Sequence, residues 1–204
     1  MSELSVDKIT GKTGTGGSNS PLQFSGDTVT LGTGATIGTG ATIGSGASLA
    51  NVTFPAGHVL QVKSTTLTTA FTGTSGWSDI TGMAVSITPS STSNKILIFV
   101  SINVTASNDS WVRLMRDSTS IAIGTGQASN QIQSTLGYMY SGSGSFVETR
   151  SMNFLDSPSS TSAISYNLEY NSSATIYVNR SSDDTNNTAR GRQVSTITAM
   201  EIKG

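Results

Sequence analysis

Between residues 31 and 54 the chain reads LGTGAT, IGTGAT, IGSGAS and LANVTF, which sets Leu31, Ile37, Ile43 and Leu49 at a constant interval of six. A helix has no such period, whereas six is three times the two-residue repeat of an extended strand, so all four aliphatic side chains can share one side of the chain. Gly32, Gly38 and Gly44 follow the aliphatic residue, with Ala50 in the fourth unit, and Ala35, Ala41, Ala47 and Thr53 fill the small fifth position. This is the hexapeptide pattern of a β-helix. Four hexads make little more than one triangular turn, and repeats of this kind need roughly three or more stacked layers to cover their apolar side. The missing layers have to come from other chains, so the pattern predicts a stem formed in a homotrimer. The same composition fits a flexible Gly/Thr/Ala linker, but a linker does not require an aliphatic residue at every sixth position.

Beyond Pro55-Ala56-Gly57, a turn signal, the pattern changes to short strand-like runs. Strands are expected at 58–63, 83–88, 95–104, 111–116, 146–155, 163–170, 174–179 and 194–202. They are separated by polar turns such as SSTSN, SGSGS and SSDDTNN. Eight strands without a convincing helix predict an antiparallel β-sandwich, jelly-roll-like in class. Residues 95–100, KILIFV, are the most continuous apolar run and predict a central strand covered on both faces. Ile176 and Val178, and Ser195, Ile197 and Ala199, alternate with neighbours of the other phase. Those strands should have one dry and one wet face, and a trimeric head would use some of the wet faces for subunit contact.

The expected organisation is therefore all-β in three parts: an N-terminal arm at 1–24, a hexapeptide-repeat stem at 25–57 and a sandwich head at 58–204. The arm carries Leu4, Val6 and Ile9, then a Gly/Ser/Asn-rich stretch, then Leu22 and Phe24. These apolar positions are the candidates for attachment to a larger assembly, by adding a strand to a neighbour's sheet.

Composition narrows the function classes. Charged residues are 11% of the 204 and the net charge is −1, so there is no basic footprint for nucleic acid. Cysteine is absent, which removes disulfides and thiolate metal sites. No apolar run approaches a membrane span, and MSELSVDKITGK lacks the apolar core of a signal peptide, so a soluble chain without a standard export signal is expected. Six Asn-X-Ser/Thr triplets, at Asn51, Asn103, Asn108, Asn171, Asn179 and Asn186, read as chance in a chain close to one-third Ser and Thr.

Candidate chemistry is sparse. His58 is the only histidine, so one chain cannot complete a His-based triad or a multi-histidine metal site. No pair of carboxylates stands out on a long β-helix as a glycosidase would need, so no enzyme, cofactor or metal is expected. Asp183-Asp184 beside Asn186 offers hard oxygens, but without the regular ligand spacing of a calcium loop, and a solvated turn is the competing reading. Arg190 and Arg192 bracket Gly191 nearby and suit ion pairing, local or between subunits. Trp77, with Tyr138 and Tyr140, is the candidate aromatic patch for stacking on sugars, with core or trimer contact as the competing reading, whereas Trp111 lies within a strand pattern and is expected in the core.

The segments SNKILIFVSINV, WVRLMRDSTSIAIG, SMNFLDSPSSTSAISYNLEY, TIYVNRSSDDTNN and STITAMEI resemble the head modules of virion proteins from tailed phages, especially those of cyanobacteria. The opening, SVDKITGKTGTGGSNSPLQFSGDTVTL, is similar to the stretch that precedes the stem in such fibres. The resemblance implies a trimeric head on a slender stem, exposed on a virus particle, and carries over no catalytic residue. Two roles follow from it. In one, the protein decorates or cements the capsid, its short arm holding the major capsid protein. In the other it is a short tail fibre, joined to tail proteins, that recognises host surface glycans. The short arm leans toward the capsid.

Overall fold

Ten strands, all in antiparallel pairs, account for the regular structure of the described residues, and no helix occurs among them. The computed structural model describes residues 54–74, 76–126, 128–137, 139 and 146–204, all within one unit, Val52–Gly204. Leu31, Ile37, Ile43 and Leu49 of the expected stem lie outside the described residues, as do Leu4, Val6, Ile9, Leu22 and Phe24 of the arm and Tyr138 and Tyr140.

The strands are β1 (Val59–Leu67), β2 (Phe71–Thr74), β3 (Ser78–Ile87), β4 (Lys95–Ala106), β5 (Ser110–Arg116), β6 (Thr119–Ile121), β7 (Glu148–Asp156), β8 (Ile164–Ser172), β9 (Thr175–Val178) and β10 (Ser195–Ile202). Each of the eight expected strands overlaps one of them, and β2 and β6 are additional. The larger sheet is built around β4. One edge of β4 pairs with β7. Its other edge pairs with β10 along 95–101 and with β9 along 104–106. Asn103, between those stretches, accepts from the Asn179 backbone N–H at 2.9 Å and donates its own to Ser195 Oγ at 3.0 Å. Thus β9 and β10 run in tandem beside β4, with residues 180–193 leaving the sheet between them. Outside them, β1 pairs with β10 and β2 with β9. The second sheet has the order β3-β8-β5-β6.

Period-two patterning decides what lies between the sheets. Ile96, Ile98, Val100, Ile102 and Val104 of β4 point inward with Ile197 and Ala199 of β10. They meet Val112 and Leu114 of β5, Ile164, Tyr166 and Leu168 of β8, and Val85 and Ile87 of β3 in one core. Ser195, Ile197 and Ala199 are buried while Thr196 and Thr198 are half-exposed, the dry and wet phases expected for β10. The expectation for residues 95–100 is only half met within one chain. β4 is central, flanked on both edges, but Leu97 is half-exposed and Phe99 is 41% exposed on its outer side.

Candidate functional site

Two outer surfaces of this fold carry side chains that packing alone does not require. The first lies on the second sheet. In β5, Ser110, Val112 and Leu114 are buried, so Trp111 and Arg113 project to the other side. After β6 the chain loops through residues 122–135 and returns to β5. There the Leu136 and Thr135 N–H groups donate to the Val112 carbonyl at 2.9 and 3.0 Å, and Val112 N–H donates to the Leu136 carbonyl at 3.1 Å. Thr135 fastens the loop again: its hydroxyl accepts from Leu114 N–H at 2.8 Å and donates to the Ile121 carbonyl at 3.3 Å.

The returning loop and the indole border an open, solvent-facing depression of about 510 Å³ lined by Trp111, Thr125, Asn130, Gln131, Gln133 and Ser134 together with loop glycines and Ile132. Not one lining residue is charged. The Trp111 indole N–H has no hydrogen-bond partner among the described residues. Asn171 of β8 stands directly opposite Trp111 and is half-buried. Trp111, expected in the core, lies instead on a wet face. The usable signal was phase, since Trp111 is in step with Arg113 and out of step with Val112 and Leu114.

Trp77 belongs to the same side of the sheet. The Arg113 guanidinium sits 4.0 Å from its ring centroid, and Arg113 Nε donates to Glu169 Oε2 at 2.7 Å. Trp77 is half-buried, with this cation against its ring. A second, smaller depression on this sheet contains Asp79, Asp117 and Asn167. Asp79 already accepts from Asn167 at 2.5 Å, and Asp117 Oδ1 accepts from Ser165 N–H at 2.9 Å.

The acidic turn is internally matched. Arg190 Nε donates to both oxygens of Asp183 at 2.8 Å, and its Nη2 lies 2.6 Å from Asp183 Oδ2. Asp184 lies 3.2 Å from Arg180 and 2.6 Å from Arg192. Hydrogen bonds from Arg190, then from Ser181, hold the Asp183 carboxyl below its ordinary value of 3.8. Asn186 is exposed and lines the shallow pocket beside these pairs. Arg190 and Arg192 thus pair locally, within the chain. Among the described residues no group of His, Asp or Glu side chains is disposed to hold a metal ion. His58 rests against Phe54, with ring centroids 5.4 Å apart, and its backbone carbonyl accepts from Lys203 N–H at 2.8 Å.

The second surface is the outer side of the larger sheet. Register aligns Val62, Met200, Leu97 and Leu155 in one row across β1, β10, β4 and β7. The neighbouring row is Ser64, Thr198, Phe99 and Asn153, and Val59, Ile202 and Lys95 lie on the other side. Val59 is 52% exposed, Val62 51%, Leu155 46% and Phe99 41%. Lys95 is the only charged side chain in these three rows, and the next row, Thr66, Thr196, Ser101 and Ser151, is all hydroxyl.

No protein-family model matches this chain, and no curated protein matches it significantly.

Proposed function

We propose that the chain is a non-enzymatic, homotrimeric structural protein exposed on the surface of a virus particle. Its head is a jelly roll, its stem is the hexapeptide segment, and its N-terminal arm is the point of attachment. The single observation that supports assembly of copies is the apolar band on the outer side of the larger sheet; placement on a virus particle rests on the sequence resemblance. A row of Val62, Met200, Leu97 and Leu155 across four strands, with Phe99 and Val59 beside it, is the pattern of a face that another surface covers. The occupant proposed is a second and a third copy of this chain. Val59 lies ten residues after Leu49, the last aliphatic of the hexads, and ten extended residues reach at most about 35 Å. Copies joined through their hexads therefore hold their heads at high effective concentration, where an apolar face of modest size suffices for association.

The strand orders support the jelly-roll assignment. With β2 and β9 read as continuations of β1 and β10, the sheets become β7-β4-β10-β1 and β3-β8-β5-β6. The chain changes sheet between β2 and β3, β3 and β4, β4 and β5, β6 and β7, β7 and β8, and β8 and β9, as two interleaved Greek keys require. Capsid and lectin domains share this architecture, which is an analogy of fold alone.

Within this reading the protein decorates or cements the capsid, using Leu4, Val6, Ile9, Leu22 and Phe24 of the arm to engage the major capsid protein. A second reading, a short tail fibre that recognises host glycans, is favoured by one specific observation, the uncharged cleft floored by Trp111. Light scattering on the purified chain tests the trimer. A mass three times 21.0 kDa supports it, and a monomer overturns it. Imaging of particles labelled on this protein separates the two roles, since decoration gives a pattern over the shell and a fibre gives density only at the tail.

A further inference from the structure

We propose that the Trp111 cleft is a saccharide-binding site that takes a neutral, hydroxyl-rich pyranose ring. The inference rests on the glycan-recognising reading above and gives that reading a location. A pyranose has an apolar C–H face and a rim of hydroxyls that each donate and accept. An indole partly exposed on a rigid strand offers a flat apolar platform for the first. Amides serve the second, because each side-chain amide supplies two donors and a carbonyl acceptor. Asn130 and Gln131 are exposed on the cleft wall, with Gln133, Thr125 and Ser134 beside them; Gln131 Oε1 already accepts from Ala128 N–H at 2.9 Å, so Gln131 offers its NH2 and Asn130 is the main amide for a ligand. The cleft, about 510 Å³ and open to solvent, leaves room for one ring against the indole with the rest of a chain outside it.

The lining also discriminates against other ligands. Phosphate and carboxylate ligands call for Arg or Lys, and no cation lines the cleft. Nucleic acid can stack on indole but needs positive charge along its backbone. A purely apolar ligand would desolvate the exposed Asn130 amide without offering it a hydrogen bond. The platform is held in place by the Val112–Leu136 backbone pair and by Thr135, so the cleft is built before a ligand arrives. Arg113, two residues along β5 and paired with Glu169, lies on the same side and marks where an extended oligosaccharide would continue toward Trp77.

The chain contains only two tryptophans, which makes the test direct. The full chain, labelled with 5-fluorotryptophan, gives two fluorine resonances, assigned by Trp77→Phe. It is titrated to millimolar levels with methyl glucoside, galactoside, mannoside and N-acetylglucosaminide, and with glucuronate. The expected result is a saturable shift of the Trp111 resonance by at least one neutral sugar, a smaller response of Trp77, and no stronger response to glucuronate. A tenfold or greater loss of affinity is expected in Asn130→Ala, which alters an exposed loop amide and leaves the fold intact.

Failure of all four neutral sugars to move Trp111, or equal movement of both resonances, overturns the site. To separate this from the parent reading, wild type and Asn130→Ala are also compared for retention on immobilised cell-surface polysaccharide of the host. Retention of wild type without any Trp111 response overturns the site and leaves glycan recognition standing. Absence of both overturns both.

Discussion

The Tyr166 hydroxyl of β8 donates to Asp156 Oδ2 of β7 at 2.7 Å, a buried hydrogen bond that joins the two sheets. Arg116 of β5 completes the group, with Nη1 at 2.9 and 3.0 Å from the two Asp156 oxygens. Burial, then the hydrogen bond to Asp156, pushes the Tyr166 phenol far above its ordinary value of 10.0. The folded protein therefore keeps a proton that the unfolded chain releases above pH 10, so stability is complete below that pH and falls as pH rises beyond it. Tyr166→Phe should cost about 2 kcal/mol at neutral pH, typical of a hydrogen bond to a charged acceptor. Its unfolding free energy should also decline less steeply than wild type above pH 10. Denaturant titrations across the alkaline range check both effects, and parallel slopes would count against the assignment.

Glu201 behaves in the opposite sense. It is buried on β10, and burial alone would raise its carboxyl. Hydrogen bonds from Asn94 Nδ2 at 2.6 Å, Gln61 Nε2 at 2.6 Å, and Ser90 N–H and Oγ at 2.6 and 2.7 Å outweigh burial and hold it below its ordinary value of 4.5. The unfolded chain takes up this proton first as pH falls, so the contribution is full above pH 4.5 and is lost progressively below it. Glu201→Gln meets several donors with a single acceptor oxygen and should lose about 2 kcal/mol at pH 7, with a flatter acid limb than wild type. Thermal melts from pH 7 down to pH 3 measure it.

The elements that could be read from the sequence are those with sustained alternation. β8 and β10 announce their inner and outer residues over whole lengths because each packs one side on the core, whereas the unbroken apolar run at the start of β4 hid the exposure of Leu97 and Phe99 on its outer side. β2 and β6 could not be read so. Phe71–Thr74 breaks alternation with Gly73, whose missing side chain is explained only by tertiary packing: a Cβ there would sit 2.3 Å from Tyr170 Cζ. Thr119–Ile121 is too short to carry a pattern. Of the candidate site residues, Trp77, which could be read either as an exposed patch or as packed, has Arg113 against its ring, and Asp183 and Asp184 are matched by arginines near in sequence. The Trp111 cleft depends on a loop returning to β5 through backbone hydrogen bonds, which no local pattern encodes.

Asn179 closes the gap between β9 and β10 and should be one of the most sensitive single positions in the head. It is fully buried in a left-handed conformation, φ 61°. Its Nδ2 donates to the Leu67 and Thr69 carbonyls at 2.7 and 3.1 Å, and its Oδ1 accepts from Ser195 Oγ at 2.6 Å. The same side chain therefore fixes the break between β1 and β2. Asn179→Ala should destabilise by about 3 kcal/mol through lost hydrogen bonds and buried carbonyls left without a donor. Asn179→Gly should recover about 1 kcal/mol of this, the part due to a Cβ in left-handed backbone. Equal midpoints for the two variants in urea would remove the backbone contribution.

The apolar band makes a prediction that separates assembly from folding. Phe99 and Leu155 project away from the core, so Phe99→Ser and Leu155→Ser leave the inward Ile98, Val100 and Phe154 untouched. If copies of this chain cover the band, each substitution removes about 1.5 kcal/mol of apolar burial per subunit, roughly a tenfold weakening of association for each copy affected. The double variant should therefore dissociate at concentrations where wild type stays assembled, while its far-ultraviolet circular dichroism is unchanged. Ile37→Asp with Ile43→Asp attacks association through the hexads instead, and it too should release folded heads. Sedimentation velocity over a dilution series measures all three proteins. A double Ser variant that stays as tightly assembled as wild type would show that the band is covered by something other than a second copy, or by nothing. Dissociation by the hexad variant alone would then assign the contact between chains to the stem.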